Sequence, residues 1–209
     1  MIDIKKFSKG GLWVPARKSD SDRLLVALHG SNGSSRDFEG LEKIFDIPEL
    51  NYLYLNGPIP SFSAYGWYSD TPTRIDALQT LEQAFDYIVQ EGYPPKHIFL
   101  MGFSQGADLT FEFGVRYKHL LAGYIAISGR IEDLPALLNQ GNPNIMKRGR
   151  WLVTHGTKDY NLSVDIMRQQ VEQLRDAGFH IDYQEYEKIH EFEGLHELPH
   201  IRKWILSRM

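Results

Sequence analysis

The sequence predicts an α/β protein built on a doubly wound, mostly parallel sheet, and three observations carry that expectation. Short, nearly continuous apolar runs recur along the 209 residues, and such runs suit strands buried on both faces. Between them lie longer segments whose apolar residues return every three or four positions, the spacing of a helix packed on one side. The two kinds of segment alternate, and alternation of this kind is the pattern of crossover connections and parallel pairing.

Five runs are compact enough to be central strands: residues 24–28 (LLVAL), 52–55 (YLYL), 97–101 (HIFLM), 124–127 (YIAI) and 151–153 (WLV). Residues 11–15 and 181–186 can add edge strands. Thr71 followed by Pro72 gives a helix cap with proline at the first helical position. Ile75, Leu78, Leu81, Phe85 and Ile88 then lie on one face, and Gly92 with Pro94 and Pro95 stops the helix. A helix over 107–117 follows the third strand. Asn161 can cap another, with Val164, Met167, Val171 and Leu174 inward and Gly178 at its end. Pro199 opens a last helix carrying Ile201, Trp204 and Ile205. No repeat, low-complexity tract or linker divides the chain, so residues 1–209 read as one domain.

Composition narrows the function. Apolar residues make up 42% of the chain, enough for a substantial core. The net charge is −4 with no dense Lys/Arg cluster, so nucleic acid is not an expected partner. There is no cysteine, which excludes disulfides, thiolate metal sites and a Cys nucleophile; no metal and no cofactor is expected. The first residues lack the apolar core of a signal peptide, and no apolar run approaches the roughly 20 residues of a membrane span. The expectation is a cytoplasmic protein without an integral membrane segment.

The segment that carries chemistry is Gly102-Phe103-Ser104-Gln105-Gly106. It fits G-x-S-x-G, in which a tight strand-to-helix turn lifts a serine hydroxyl above the sheet and small residues on either side avoid clashes. The spacing alone is a weak signal. Its position, directly after an apolar strand and before a helix, is what gives it weight. A serine hydroxyl needs a base and the base an orienting carboxylate, in the chain order Ser, acid, His for this kind of turn. Asp159, in His155-Gly-Thr-Lys-Asp159, stands on the loop after the strand at 151–153, at the sheet edge where catalytic groups collect. His190 and His196 both lie on the loop after the last strand. His190 is nearer the strand end and is the expected base; His200 falls inside the last helix.

Acyl transfer also needs donors aimed at the developing oxyanion. The backbone N–H of Gln105 is one candidate. Ser31, in Leu28-His-Gly-Ser31-Asn-Gly33, supplies the other, with Gly30 and Gly33 placed to let the backbone approach a carbonyl. Residues 56–70 form a long connection rich in aromatics, Pro and Gly. There Trp67, Tyr65 and Phe62 can form an apolar wall for substrate; equally, Trp67 can be a packing anchor that orders the loop.

With these residues placed, the chain resembles the phospholipase/carboxylesterase family of α/β-hydrolases, which includes the acyl-protein thioesterases. The resemblance rests on Leu28-His-Gly, Gly66-Trp-Tyr-Ser-Asp70, Gly102-Phe-Ser-Gln-Gly106, His155-Gly-Thr-Lys-Asp159 and Tyr186-Glu-Lys-Ile-His190, in consistent order from about residue 24 onward. It implies a Ser104–Asp159–His190 triad, oxyanion donors at Ser31 and Gln105, and a small-molecule ester or acyl-thioester as substrate. Two features depart from the family: Ala107-Asp108 replaces a second Gly and an apolar residue after the elbow, and the tail 191–199 differs from the usual run. The segment between the strands at 127 and 151 is too short for a lid domain, so an open site is expected and a lipase activated at an oil interface is not. The competing readings are an inactive hydrolase fold used for binding and a peptidase or amidase using the same groups.

Overall fold

The computed structural model describes residues 2–62 and 64–209. Its centre is a seven-stranded sheet in the order β1-β3-β2-β6-β7-β8-β9. The strands are β1 (Gly11–Val14), β2 (Arg23–Leu28), β3 (Leu50–Leu55), β6 (Ile98–Phe103), β7 (Gly123–Ile127), β8 (Arg150–Gly156) and β9 (His180–Tyr186). Only β1 runs antiparallel, against β3; the other pairs are parallel.

Alternation along the central strands divides the core. Leu24, Val26 and Leu28 of β2, Ile98 and Leu100 of β6, and Trp151 and Val153 of β8 join one apolar cluster. It is closed by α2 (Thr71–Gln90), α3 (Gln105–Arg116), α4 (Leu134–Gln140), α5 (Pro143–Arg148) and α6 (Val164–Asp176). Their neighbours Leu25, Ala27, Phe99, Met101 and Leu152 face the other side, under α1 (Leu41–Phe45) and α7 (Glu197–Leu206). Both faces are therefore covered, which is why the strands lack polar residues at every second position. On the first face Trp151 is stacked between Phe111 (centroids 5.3 Å apart) and Tyr124 (4.2 Å).

Element boundaries differ from expectation at three helix starts. Asp70, not Thr71, caps α2: its carboxylate accepts from Thr73 N–H at 2.9 Å while Thr73 Oγ1 accepts from Asp70 N–H at 3.1 Å. This reciprocal box satisfies two donors that a lone threonine could not. Ser163 rather than Asn161 caps α6, its hydroxyl accepting from Asp165 N–H at 3.3 Å. Helix α7 begins before Pro199, which the first turn tolerates because N–H groups there have no intrahelical acceptor. The long connection after β3 contains an unexpected hairpin, β4 (Ile59–Ser61) with β5 (Ala64–Gly66). Between β7 and β8 the chain forms only the short α4 and α5. Among the described residues, no helix is long and apolar enough to cross a membrane.

Candidate active site

Ser104 sits at the junction of β6 and α3 with φ 53° and ψ −117°, a strained backbone for a residue with a side chain. The two glycines of the motif are required by close approach. A Cβ on Gly102 would stand 2.0 Å from the carbonyl oxygen of Gly106, and one on Gly106 would stand 2.1 Å from that of Leu28. The Ser104 N–H donates to Ile127 O at 2.9 Å, tying the turn to β7.

Two loops at the carboxyl end of the sheet meet this serine. Asp159, after β8, has a fully buried carboxylate whose Oδ1 accepts from the N–H groups of Asn161 (3.0 Å) and Leu162 (2.9 Å). Its Oδ2 lies 2.7 Å from His190 Nδ1, and His190 Nε2 lies 2.9 Å from Ser104 Oγ. The His190 ring rests on Phe103, centroids 5.0 Å apart, and Phe103 in turn on Phe192 at 4.7 Å. His196 is exposed at the start of α7, and His200 Nδ1 pairs with the Tyr186 hydroxyl at 2.7 Å. Neither reaches the serine's partners.

The loop 29–33 abuts Ser104 from the β2 side: a Cβ on Gly30 would stand 3.2 Å from the Cβ of Ser104. His29 shapes this loop. Its Nδ1 donates to Gly30 O at 2.7 Å and its Nε2 accepts from Gly57 N–H at 3.0 Å, so the ring is neutral. Burial pushes its pKa below the ordinary histidine value. Gln105 opens α3, where the first N–H groups lack intrahelical acceptors. Its side chain faces elsewhere, accepting from Trp67 N–H (2.8 Å) and donating to Tyr68 O (2.8 Å).

The expected aromatic wall is not where the sequence suggested. Trp67 is 1% exposed, with its indole N–H on His29 O at 2.9 Å and its ring 5.3 Å from that of His29. It is the packing anchor that fixes the loop. Phe62 is fully exposed at the tip of the hairpin, and Tyr65 pairs with Gly33; neither lines the cavity beside Ser104. That cavity, about 420 Å³, is instead bounded by Tyr68, Arg74, Asp108, Arg130, Glu132 and Leu162, with residues 69–71. Among these, Asp108 stands out in the sequence as a polar residue where an apolar one is expected, and residues 68–70 belong to the segment that carries the family resemblance. Asp108 Oδ2 accepts from the Tyr68 hydroxyl at 2.5 Å and its Oδ1 from Glu132 N–H at 3.2 Å. Burial raises its carboxyl above the usual carboxylate range, against the pull of the Tyr68 hydroxyl and Arg74.

The loop that carries His190 is fastened by a pair the sequence did not reveal. Lys188 Nζ donates to both carboxylate oxygens of Glu197 (2.7 and 2.8 Å) and to Glu191 O (2.8 Å), with both side chains almost wholly buried.

Comparison with known proteins places the chain in a family. The family model for phospholipase/carboxylesterase matches residues 14–206. Carboxylesterase SOBER1 of Arabidopsis thaliana is 26% identical over 165 residues, covering 79% of this chain and 67% of that protein. Acyl-protein thioesterase 1 homolog 2 of Dictyostelium discoideum is 33% identical over 164 residues, 68% of this chain and 72% of that one. Among solved structures, Arabidopsis SOBER1 superposes with a TM-score of 0.81 at 22% identity, over 89% of this chain and 98% of that chain. Esterase PE8 gives 0.81 at 23% identity, over 95% and 98%. The fold is that of the α/β-hydrolases, and the chain belongs to the phospholipase/carboxylesterase family.

Proposed function

We propose that this protein is a serine hydrolase of carboxylic esters or thioesters, with Ser104 as nucleophile, His190 as base and Asp159 as its orienting carboxylate. The observation that carries the reading is the continuous hydrogen-bonded line from Ser104 Oγ through His190 to Asp159, at 2.9 and 2.7 Å, on a strained elbow. A hydroxyl becomes a nucleophile when a base lies within hydrogen-bond reach and that base is held in one tautomer. Asp159 supports this by accepting from Nδ1, which leaves Nε2 as acceptor for the serine proton.

In this mechanism Ser104 Oγ attacks the substrate carbonyl carbon as its proton passes to His190 Nε2. The backbone N–H groups of Gln105 and Ser31 receive the oxyanion. Collapse expels the alcohol or thiol, which takes the proton from His190 and leaves an acyl group on Ser104. Water, deprotonated by the same imidazole, then releases the acid and restores the serine.

Ser104→Ala is expected to abolish fluorophosphonate labelling and reduce hydrolysis of 4-nitrophenyl acetate by about 10⁴-fold or more. His190→Ala should be nearly as damaging, since the two groups act as one unit, whereas His196→Ala should retain most activity. Circular dichroism would verify that each variant is folded. Substantial activity in the Ser104 variant would refute the reading, and an inactive His196 variant beside an active His190 one would reassign the base.

A further inference from the structure

The cavity beside Ser104 has the wrong chemistry for a hydrocarbon chain. Leu162 is the one aliphatic side chain among its lining residues, against two guanidinium groups, three carboxylates and the hydroxyl-bearing 69–71 turn. Seating an alkyl chain there would strip water from these groups, a cost that contact with Leu162 and the Tyr68 ring offsets only in part.

The charges are arranged in opposed neighbours rather than as one field. Arg130 Nη2 and Nε bind Glu132 Oε2 at 2.8 and 3.1 Å. Arg74 lies between Asp108 Oδ2 (3.7 Å) and Glu112 Oε1 (3.8 Å), with its guanidinium 4.6 Å above the Tyr68 ring. These separations balance charge but exceed hydrogen-bond length. Arg74 therefore brings to the cavity the donors of its two Nη groups, which no protein oxygen among the described residues has taken up. An anion reaching them would face Asp70, Asp108 and Glu132; a cation would face Arg74 and Arg130. A hydroxyl group suits both signs, since it donates to a carboxylate and accepts from a guanidinium through the same oxygen.

We propose that this cavity seats the uncharged, polyhydroxylated alcohol part of an ester, a sugar or sugar-alcohol residue acylated on one hydroxyl. Arg74 donates to its oxygens and Glu132 accepts from its hydroxyls. Neighbouring hydroxyls of such an alcohol stand a few bonds from the esterified oxygen, and Arg74 and Glu132 line the same cavity as Ser104. The proposal rests on the serine-hydrolase reading above and adds the substrate class. Water supplies the second product in the usual way: the acyl C–O bond breaks, giving the free acid and the polyol.

The test compares acetate esters whose alcohol part varies in polarity and charge, with the sugar and cyclohexyl acetates matched in ring size. Wild-type protein is assayed with 4-nitrophenyl acetate, a monoacetylated methyl glucoside, cyclohexyl acetate, acetylcholine and acetoxyacetate methyl-capped or as the free carboxylate. The sugar acetate is expected to exceed cyclohexyl acetate in kcat/KM by about tenfold or more, mostly through KM, the size expected for hydrogen bonds to charged groups. Arg74→Met should bring that ratio close to one. Because Met leaves Asp108 without its cation and Glu112 with Arg116 alone, Arg74→Lys is made in parallel; it keeps the charge, loses the fork, and should also lower the ratio. In addition, binding of the sugar acetate to Ser104→Ala is measured by calorimetry and should weaken about tenfold when Arg74→Lys is added. Equal or faster turnover of cyclohexyl acetate, a charged ester as best substrate, or a ratio unmoved by both Arg74 variants would overturn the proposal. If the wild type hydrolyses none of the esters, the hydrolase reading fails, and the cavity assignment then stands or falls on the calorimetry.

Discussion

At Ser104 the local backbone and the chemistry are one problem. The residue is held at positive φ because β6 must turn at once into α3, and the chain passes so close to itself that Gly102 and Gly106, two positions to either side, cannot carry side chains. This explains why the elbow was legible: steric exclusion leaves a fixed spacing of small residues in the sequence. Gly106→Ala tests it. The new Cβ would meet the Leu28 carbonyl oxygen at 2.1 Å, and backbone cannot yield as a flexible side chain would. The variant should lose about 3 kcal/mol of stability, measured by urea unfolding, and label poorly with fluorophosphonate even where it remains folded. Trp67 shows the opposite case. An aromatic in a Pro/Gly-rich loop signals that something apolar is to be covered, but not on which side. What settled it was the His29 carbonyl 38 residues earlier, which takes the indole N–H. The Arg74–Asp108 neighbourhood was hidden for the same reason, because it forms only when α2 and α3 pack together.

Among the elements, the connection between β9 and α7 most depends on contacts invisible in sequence. It carries His190, has little regular structure between Tyr186 and Glu197, and is held by the buried Lys188–Glu197 pair at its two ends. Either residue alone reads as a charge on a solvated loop. Their burial costs desolvation that only close mutual contact offsets, and it lowers the Lys188 pKa despite the carboxylate beside it. Removing one partner strands the other. Lys188→Met is therefore expected to destabilise the protein by about 3–5 kcal/mol, while Lys188→Met with Glu197→Gln recovers a good part of that. In both variants, looser placement of His190 should reduce kcat more than it raises KM. Thermal unfolding and steady-state kinetics on the two proteins check this; equal stability of single and double variants would contradict it. The longer strands and helices, by contrast, were read from periodicity; the β4–β5 hairpin and the short α1, α4 and α5 are too brief to show a period, and at the helix starts the errors fell at caps, where a neighbouring side chain decides between adjacent candidates.

For the molecule as a whole, the sheet was legible because its central strands are buried on both faces and so carry uninterrupted apolar runs. The strand order was not, since nothing local in β2 says that it lies between β3 and β6. Burial within this sandwich also sets a response to acid. The imidazoles of His29 and His155 are both pushed below the ordinary histidine value by desolvation, whereas in the unfolded chain each takes up a proton near pH 6.5. Between that value and the lower folded one the unfolded state binds more protons, so stability is full above about pH 7 and falls as pH drops toward 5. Urea midpoints across this range should decline, and His29→Gln, although less stable at pH 7, should show a shallower decline. The order of the strands has one more effect, on synthesis. Ser104 and the loop at residues 29–33 lie on strands made early, while Asp159 and His190 follow β8 and β9, and the Glu197 that fastens the His190 loop belongs to α7. A chain emerging from the ribosome presents its serine, folded or not, well before the imidazole and carboxylate that would activate it. On the proposed mechanism the growing polypeptide therefore has no activated serine until β9 and α7, between which His190 is carried and fastened, are in place.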